Sequence, residues 1–201
     1  MNNTAKTYTK LGKQYLDDIA DLAPAEREEF IRRLPRGSAV LDVGCAGGRD
    51  SGAFVESGFQ VVGIDLVGLF LSEARKRVPA ATFRMMDVCK LDFPDESFNA
   101  VWANAILMHV PKRDTLRALK ELQRVCKPSG LLLVRVKHGQ GERAVADKLS
   151  RGVNRLFSFF TEDELSQLSE QAGFTVESAA LVEDGAGRDG VRWVSVWAVK
   201  R

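Results

Sequence analysis

A short apolar segment that runs directly into a glycine-rich turn constrains the fold of this chain more than any other feature. Residues 39–51 read A-V-L-D-V-G-C-A-G-G-R-D-S. The run Ala39–Val43 has the composition of a buried parallel strand, and the polar segment after the turn can form a helix. Gly44, Gly47 and Gly48 allow the backbone to approach a ligand closely, and the helix start offers unpaired N–H groups. The stretch therefore predicts an α/β fold with a ligand site at this turn.

The spacing of the turn does not suit a dinucleotide. A nicotinamide dehydrogenase would show G-x-G-x-x-G here, with the pyrophosphate at the helix start. In this chain Ala46 and Gly47 follow Gly44, and Asp42 stands two residues before it. A carboxylate at the mouth of the turn repels a pyrophosphate and favours a cation. The turn therefore indicates a cationic nucleotide, and a dehydrogenase becomes the weaker alternative.

Composition narrows the class of protein. The chain has 201 residues, 45% of them hydrophobic, with a formal net charge of +2, which predicts one globular domain without preference for a polyanion. Cys45, Cys89 and Cys126 are scattered, which favours free thiols in a reducing cytoplasm. A membrane-spanning apolar run and a signal-peptide pattern are both missing from the sequence, so we expect a cytoplasmic protein without a membrane partner.

Acidic residues follow the next two strand-like runs as well. Asp65 ends the run 59–65, about twenty residues beyond the glycine turn, where such folds place a carboxylate that accepts hydrogen bonds from ribose hydroxyls. Asp87 follows the run 81–86. With Asp42, three acids are thus expected at the ligand-binding edge of an open sheet, although an acid at a strand end can also be only a helix N-cap.

These motifs resemble those of the class I S-adenosylmethionine-dependent methyltransferases. V-L-D-V-G-C-A-G-G is similar to the first motif of that family, V-V-G-I-D-L to the second, and R-V-C-K-P-S-G-L-L-L-V to a structural region before the fifth strand. Ala46 departs from the family pattern, which has glycine there. We expect its methyl group to fit if the φ of Ala46 is negative.

The resemblance extends from about residue 34 to residue 199 and implies a Rossmann-like three-layer α/β sandwich. Its seven-stranded, mostly parallel sheet would have the order 3-2-1-4-5-7-6, closed by an antiparallel C-terminal hairpin. Residues 1–201 would form a single domain, in which residues 1–34 are a helical lid and residues 35–201 the core. Residues 137–158 would be a basic insert near the active edge.

S-adenosylmethionine is the cofactor that the resemblance implies, and no metal is expected. Asp87 takes the family's adenine position, and Arg49 is a candidate contact for the carboxylate of the cofactor. The candidate cofactor-binding residues are Asp42, Gly44, Cys45, Ala46, Gly48, Arg49, Asp65, Leu66, Asp87, Val88, Ala103 and Asn104.

His109 is the candidate catalytic residue. In the resemblance it faces the methyl acceptor, and an unperturbed imidazole pKa of about 6.5 suits a base at neutral pH. The alternative is a histidine that packs beside Pro111 and only orients the substrate or fills space. Tyr8 and Tyr15, in the polar N-terminal helix, fit core packing and substrate contact equally.

The segment from Arg135 to Arg155 concentrates positive charge, contributed by Arg135, Lys137, His138, Arg143, Lys148, Arg151 and Arg155. Gly139 and Gly141 predict that it is mobile. It could recognise a carboxylate or phosphate on the acceptor, or be a solvated surface insert. Nucleic acid is not favoured because aromatic residues are not interleaved with these charges. Trp193 and Trp197 fall on one face of the last strand, and we interpret them as core or sheet cover.

The predicted function is methyl transfer from S-adenosylmethionine to a small-molecule acceptor by in-line displacement. Two alternatives stay open. The acceptor could be a peptide or a tRNA base, or the protein could be a non-catalytic S-adenosylmethionine-binding partner or sensor. The sequence fits a monomer or a homodimer and leaves the acceptor atom undefined.

Overall fold

Helices and strands alternate along most of the chain in the computed structural model, which describes residues 3–146, 149, 151–184, 188 and 190–201. The elements, in chain order, are α1 (Asn3–Asp18), α2 (Glu26–Arg32), β1 (Ala39–Val43), α3 (Arg49–Glu56), β2 (Gln60–Asp65), α4 (Gly68–Arg77), β3 (Thr82–Met85), β4 (Phe98–Asn104), a 3₁₀ turn (Leu107–His109), α5 (Lys112–Val125), β5 (Cys126–Lys137), β6 (Glu142–Val145), β7 (Arg155–Ser158), α6 (Glu162–Gln171), β8 (Phe174–Glu183) and β9 (Arg192–Lys200).

The main sheet has seven strands in the order β3-β2-β1-β4-β5-β9-β8. Strands β1 to β5 pair in parallel, and β9 runs antiparallel to both β5 and β8. Numbered within this sheet alone, the order is the predicted 3-2-1-4-5-7-6. The numbering along the whole chain differs because β6 and β7 pair in a separate two-stranded sheet, which the sequence did not predict.

Helices cover both faces of the main sheet. Val40 of β1 packs in a cluster with Phe30 of α2 and Phe54 of α3, whereas the next residue, Leu41, packs in a cluster with Leu119 of α5. Successive side chains of a strand point to opposite faces of its sheet. The helices therefore lie on opposite sides, and the fold is the expected three-layer sandwich.

The strand order changes direction between β1 and β4. From β1 the chain builds outward to β2 and β3, and then crosses to β4 and β5 on the other side. In open α/β sheets such a switch leaves a crevice at the carboxyl ends of the two strands, where ligands bind. The glycine turn after β1 and the loop after β4 meet at this crevice.

Helix α1 lies across the glycine turn. Ala5 and Leu16 of α1 form a buried cluster with Val67 and Phe70, and Ala46 packs against the same cluster. Backbone angles at Gly12 (φ 61°, ψ −147°) interrupt the helix. Residues 1 and 2, the first of the predicted lid segment, lie outside the described residues.

The C-terminal end of the basic segment is attached to the core. Its aromatic run L-F-S-F-F anchors it, since Phe157 is 1% exposed and belongs to the main core cluster. Ser158 Oγ also donates a hydrogen bond to the carbonyl oxygen of Val110 at 2.7 Å. The chain is therefore held against the core from Arg155 onward, and the mobility expected from Gly139 and Gly141 stays a prediction. Lys148 lies outside the described residues.

Candidate cofactor and acceptor site

The glycine turn is fixed to the neighbouring strand. The backbone N–H groups of Gly44 and Cys45 both donate to the carbonyl oxygen of Ile64, at 2.8 and 3.0 Å. Gly44 has a φ of 72°, and a Cβ atom there would lie 2.8 Å from Cβ of Ile106. Gly48, with a φ of 77°, precedes the first residue of α3. Both positions favour glycine because their backbone is left-handed, and at Gly44 a side chain would also lack space.

Ala46 contradicts the expectation of a negative φ. Its φ is 46°, in the left-handed region where an L-residue is strained. Its backbone N–H donates to Oδ2 of Asp65 at 3.1 Å, and this hydrogen bond belongs to the turn that imposes the conformation. The methyl group is therefore accommodated at a cost in strain, and the reason expected from the sequence was wrong.

Asp65, at the end of β2, accepts one hydrogen bond on each carboxylate oxygen. Oδ1 accepts from the backbone N–H of Val67 at 2.9 Å, and Oδ2 accepts from Ala46. Burial raises the pKa of Asp65, while the hydrogen bonds from Val67 and Ala46 oppose that rise. The carboxylate is thus held in a fixed orientation at the carboxyl edge of the sheet.

A cavity of about 100 Å³ lies beside Asp65. The predicted cofactor residues in its walls are Gly44, Ala46, Asp65, Leu66, Asp87 and Val88. Asp87 is exposed, and its Oδ1 accepts a hydrogen bond from the backbone N–H of Cys89 at 2.9 Å. The structure therefore brings together the side chains at the ends of β2 and β3, as the sequence predicted.

A second cavity, of about 310 Å³, lies on the other side of the glycine turn. The predicted cofactor residues in its walls are Asp42, Gly44, Cys45, Ala46, Arg49 and Asn104. Gly48 and Ala103 are not among the described lining residues of either cavity, and Gly47 and Ala105 take those places. Gly48 lies beneath the turn, where a Cβ atom would be 3.2 Å from Cβ of Ala74, and Ala103 is fully buried in the core.

Asp42 is a buried carboxylic acid in the wall of the larger cavity. It is 2% exposed and accepts a hydrogen bond from Ser51 Oγ at 2.5 Å. Burial, and then the negative charge of Asp50, raise the pKa of Asp42 to about 7. At neutral pH this group is therefore poised between its neutral and ionised forms, and a nearby cation favours the ionised form.

Asp50 is a second buried acid that the sequence analysis missed. Its oxygens accept from Nε and Nη2 of Arg49 at 3.0 and 2.9 Å, and from Trp102 Nε1 at 3.1 Å. Burial alone would raise the pKa of Asp50, but the hydrogen bonds from Arg49 and Trp102 and the charges of Arg49 and Arg27 lower it. Its place directly after Arg49, at the start of α3, was the available signal.

Arg135 of β5 contacts both Asn104 of β4 and Glu26 of α2, and all three residues line the larger cavity. Its Nη1 lies 3.5 Å from Oδ1 of Asn104, and its Nε lies 3.3 Å from Oε1 of Glu26. The guanidinium stacks over the ring of Trp193 at 4.0 Å from the centroid. Trp193 therefore lines the cavity as well as covering the sheet, which goes beyond the interpretation from the sequence. Glu26 was not identified from the sequence.

Tyr8 and His109 meet where the two cavities adjoin. Tyr8 lines both cavities, and its hydroxyl lies 2.8 Å from Nε2 of His109. Nδ1 of His109 is 3.0 Å from the carbonyl oxygen of Leu156, which can only accept, so Nδ1 carries a proton. Arg155 Nη1 donates to the Tyr8 hydroxyl at 2.6 Å. The hydroxyl accepts from Arg155, so a neutral His109 receives the tyrosine proton at Nε2.

Two features of the described residues concern metal ions and membranes. Within the described ranges, no three His, Cys, Asp or Glu side chains are grouped so that they could hold a metal ion. The described helices include none with the length and apolar character needed to cross a bilayer.

Comparison with known proteins identifies the family. Residues 41–134 match the family described as methyltransferase domain. The ubiquinone biosynthesis O-methyltransferase of Rhodopseudomonas palustris is 31% identical over an alignment of 208 positions, which covers 87% of this chain and 81% of that enzyme. The 2-methyl-6-phytyl-1,4-hydroquinone methyltransferase of Synechocystis is 37% identical over 116 residues, which cover 56% of this chain and 36% of that enzyme.

The fold has close counterparts among solved structures. The 1,6-didemethyltoxoflavin-N1-methyltransferase of Burkholderia thailandensis, with bound S-adenosylhomocysteine, superposes with a TM-score of 0.79 and 24% identity. The match covers 98% of this chain and 86% of that one. The chain spans less than half of the length of several curated relatives that it matches. The sequence motifs, the sheet order and these relatives agree, and the chain belongs to the class I S-adenosylmethionine-dependent methyltransferases.

Proposed function

We propose that this protein transfers the methyl group of S-adenosylmethionine to a small-molecule acceptor. The observation that carries the proposal is the pair of adjoining cavities on either side of one glycine turn, with carboxylates in the walls of both. Relatives named for a hydroquinone, for ubiquinone biosynthesis and for 1,6-didemethyltoxoflavin support a small acceptor.

The smaller cavity suits the adenosine part of the cofactor. Each oxygen of Asp65 accepts one backbone N–H and keeps a lone pair, so the carboxylate can accept from both hydroxyls of a ribose. Asp87, which has one oxygen hydrogen-bonded to Cys89, would accept from the exocyclic amino group of adenine. The buried side chain of Val88 would supply an apolar contact for the ring.

The part of the larger cavity lined by Asp42 and Arg49 suits the methionine part of the cofactor. The ionised form of Asp42 would attract the ammonium group, and Arg49 keeps N–H groups beyond those that it donates to Asp50 and Ile19, so it can reach a carboxylate. When bound, the sulfonium supplies an activated methyl group and a neutral leaving group. The chain's own task is therefore to position the acceptor and to exclude water.

Helix α1 would exclude much of the water from the site. Tyr8 and Tyr15 contribute to the walls of both cavities, and Leu16 contributes to the larger one. The aromatic rings of Tyr8 and Tyr15 contact each other edge to face, with centroids 4.8 Å apart. We propose that residues 1–34 act as the lid of a single domain, closing over cofactor and acceptor.

Tyr8 and His109 would remove the proton of an acceptor that ionises weakly. An acceptor in the larger cavity would contact Tyr8 rather than His109. Tyr8 lines both cavities, whereas His109 lines only the smaller one. The acceptor's proton would pass to the Tyr8 oxygen while the tyrosine proton passes to Nε2 of His109. The resulting imidazolium would be stabilised by the Leu156 carbonyl oxygen at Nδ1.

The test is turnover of the cofactor. Purified protein is incubated with S-adenosylmethionine and a bacterial metabolite extract, and S-adenosylhomocysteine is quantified against a sample without extract. We expect formation that depends on the extract and is lost when Asp65 is replaced by asparagine. Tight binding of S-adenosylhomocysteine without turnover in any extract would contradict catalysis and favour a non-catalytic binding protein.

A further inference from the structure

We propose that Asp50 is a positioning residue, which couples the binding of the cofactor's carboxylate group at Arg49 to the position of α2 in the wall of the larger cavity. This inference rests on the proposed function, because the contact between Arg49 and that carboxylate is taken from it. Asp50 lies in the first turn of α3, and both Arg49 and Asp50 line the larger cavity.

The carboxylate of Asp50 accepts hydrogen bonds from several elements at once. Oδ1 accepts from Nε of Arg49 at 3.0 Å and from Nη1 of Arg27 at 3.2 Å. Oδ2 accepts from Nη2 of Arg49 at 2.9 Å, from Nε1 of Trp102 at 3.1 Å and from Nδ2 of Asn104 at 3.3 Å. Arg27 belongs to α2, Arg49 to α3, and the other two donors to β4. One buried carboxylate therefore joins three elements around the cavity.

The same carboxylate fixes the orientation of Arg49. Two parallel hydrogen bonds, from Nε and Nη2, hold the guanidinium in the plane of the Asp50 carboxylate. Nη1 donates to the carbonyl oxygen of Ile19 at 3.0 Å. Because each terminal nitrogen carries two N–H groups, one on Nη1 and one on Nη2 stay available for a ligand carboxylate. Asp50 therefore acts on the ligand through Arg49.

Two arginines share the single negative charge of Asp50. The carboxylate forms ion pairs with Arg27 at 3.2 Å and with Arg49 at 2.9 Å. Burial opposes its ionisation, but its hydrogen bonds with Arg49 and the charges of both arginines lower its pKa, so Asp50 is ionised at neutral pH. Asp42, the other carboxylate that acts on Arg49, is assigned to the ammonium group of the cofactor. Because Arg27 balances Asp50, the charge of Arg49 is left for the cofactor's carboxylate. Without Arg27, Asp50 would cancel it.

The two ends of α2 are attached differently. At its end, Phe30 is fully buried, and its ring centroid lies 5.0 Å from that of Trp102. At its start, Oε1 of Glu26 lies 3.3 Å from Nε of Arg135. Both carboxylate oxygens of Glu26 and the Nε atoms of Arg27 and Arg135 are buried without an aligned hydrogen bond. Ion pairs therefore contribute much of the attachment of the first turn, and its position depends on the charges around it.

The first turn of α2 forms part of the wall that an acceptor would contact. Pro24, Ala25 and Glu26 line the larger cavity. Coupling between two sites is reciprocal, so if Arg27 on Asp50 strengthens binding of the carboxylate, the bound carboxylate stabilises α2 in this position by the same factor. The wall for the acceptor would then be stable only after the cofactor has bound.

The first experiment compares two ligands that differ in the group recognised by Arg49. S-adenosylhomocysteine carries the carboxylate, whereas 5′-methylthioadenosine has the same adenosine part and a thioether but no amino-acid group. We expect Arg27→Gln to weaken S-adenosylhomocysteine binding by about 5-fold or more, the lower range of coupling between sites, and to leave 5′-methylthioadenosine binding unchanged. Arg27 is outside the described walls of both cavities, so it contacts neither ligand directly. Calorimetric titration measures both affinities.

Arg32→Gln is the matched control, because Arg32 lies on the same helix and pairs with Glu29, and both of these side chains are exposed. It should bind both ligands as the wild type does. Arg27→Lys, which keeps the charge, should recover part of the affinity for S-adenosylhomocysteine. Binding of 5′-methylthioadenosine shows that each variant is folded.

The second experiment tests whether Arg27 acts through Asp50. Asp50→Asn should also weaken S-adenosylhomocysteine binding more than 5′-methylthioadenosine binding. Adding Arg27→Gln to Asp50→Asn should then cause little further loss, because the charge that Arg27 balances is already absent. A full additional loss in the double variant would contradict coupling through Asp50. If Asp50→Asn does not fold, the comparison of Arg27→Gln, Arg27→Lys and Arg32→Gln still decides.

The third experiment follows α2 itself by hydrogen exchange of residues 24–33. S-adenosylhomocysteine at saturation should slow exchange in this segment more than saturating 5′-methylthioadenosine does, and Arg27→Gln should abolish the difference. Equal protection by both ligands in the wild type would overturn the inference, as would equal weakening of both ligands by Arg27→Gln. If wild-type protein does not bind S-adenosylhomocysteine, the proposed function is wrong as well. If it binds S-adenosylhomocysteine and Arg27→Gln binds it equally well, only the present inference is wrong.

Discussion

The hydroxyl of Tyr8 lies 2.8 Å from Nε2 of His109, although the two residues are 101 positions apart in the chain. This contact joins α1 to the 3₁₀ turn after β4, and Arg155 completes it from β7. It places a hydroxyl group, rather than the imidazole, at the wall shared by both cavities. His109 therefore acts on an acceptor through Tyr8 in the proposed reaction.

Replacing Tyr8 by phenylalanine tests this arrangement. We expect kcat to fall by about 100-fold, the lower range for loss of a positioned acid or base, because the acceptor loses its proton path. S-adenosylhomocysteine affinity should change little, since the aromatic ring remains. The measurement is kcat and KM with the acceptor found by the extract screen, together with calorimetric titration of the cofactor.

The double variant Tyr8→Phe/His109→Gln provides the control for coupling. If both groups act in one path, the double variant should be no slower than Tyr8→Phe alone, because the second change removes nothing further. If the fold-reductions in kcat of the two single variants multiply in the double variant, the two residues act independently. An unchanged rate in His109→Gln would remove His109 from the mechanism.

Asp65→Asn should weaken S-adenosylhomocysteine binding by about 10- to 100-fold, the usual loss for hydrogen bonds to a charged group. Asp87→Asn should have a smaller effect, because Asp87 is exposed and its environment is better solvated. The exposed Asp92 lines neither cavity, so Asp92→Asn serves as the control. Calorimetry measures all three. Equal affinity in Asp65→Asn and Asp92→Asn would exclude Asp65 as the ribose contact.

Asp42 predicts a pH dependence of cofactor binding. Its pKa is raised to about 7 in the folded protein, so below that pH the carboxyl is neutral and must lose a proton to attract a cation. Affinity for S-adenosylmethionine should therefore rise with pH, by at most about tenfold per unit below pH 7, and level off above it. Asp42→Asn should flatten this profile. A wild-type affinity that falls as pH rises from 6 to 8 would contradict this role.

The raised pKa of Asp42 also affects the stability of the protein without ligand. Between the ordinary carboxyl pKa and about 7, the folded state holds a proton on Asp42 that the unfolded state has released. The contribution of Asp42 to the free energy of unfolding therefore decreases as pH rises through this window. Denaturant unfolding of wild type and Asp42→Asn at pH 5 and pH 8 measures the difference. We expect Asp42→Asn to lose less stability than wild type between these values.

Ala46 offers a test of backbone strain at the glycine turn. Because its φ is 46°, Ala46→Gly should relieve a left-handed strain of about 1 kcal/mol, partly offset by the added flexibility of the unfolded chain. The free energy of unfolding should stay the same or rise by up to about 1 kcal/mol. Ala46→Val should lower it, because a β-branched residue tolerates this φ less well. Stabilisation by valine would show that the turn adopts another conformation in solution.

The location of Asp42, Asp65 and Asp87 could be predicted from the sequence because each lies near the carboxyl end of a strand-like run, and parallel strands end at one edge of the sheet. The sheet order was implied by the resemblance to the methyltransferase family, and the structure confirms it. Two predicted cofactor residues, Gly48 and Ala103, lie next to lining positions instead of in the walls. A displacement of one residue is below what a motif can resolve when the turn's dihedral angles are unknown.

The remaining site residues depend on tertiary packing. Tyr8 meets His109 in a structure where Ala5 and Leu16 pack α1 against Val67 and Phe70 at the start of α4, and no local sequence pattern predicts that packing. Arg155 lines the larger cavity because the buried Phe157 fixes β7 against the core. The turn that contains Ala46 is likewise held by a hydrogen bond to Asp65, which ends the next strand.

A crystal structure with S-adenosylhomocysteine tests the central claim most directly. We predict the adenosine in the smaller cavity, with both ribose hydroxyls within hydrogen-bond distance of Asp65 and the sulfur atom facing Tyr8 at the junction of the cavities. S-adenosylhomocysteine bound elsewhere, or bound with its ribose away from Asp65, would contradict the assignment of the two cavities.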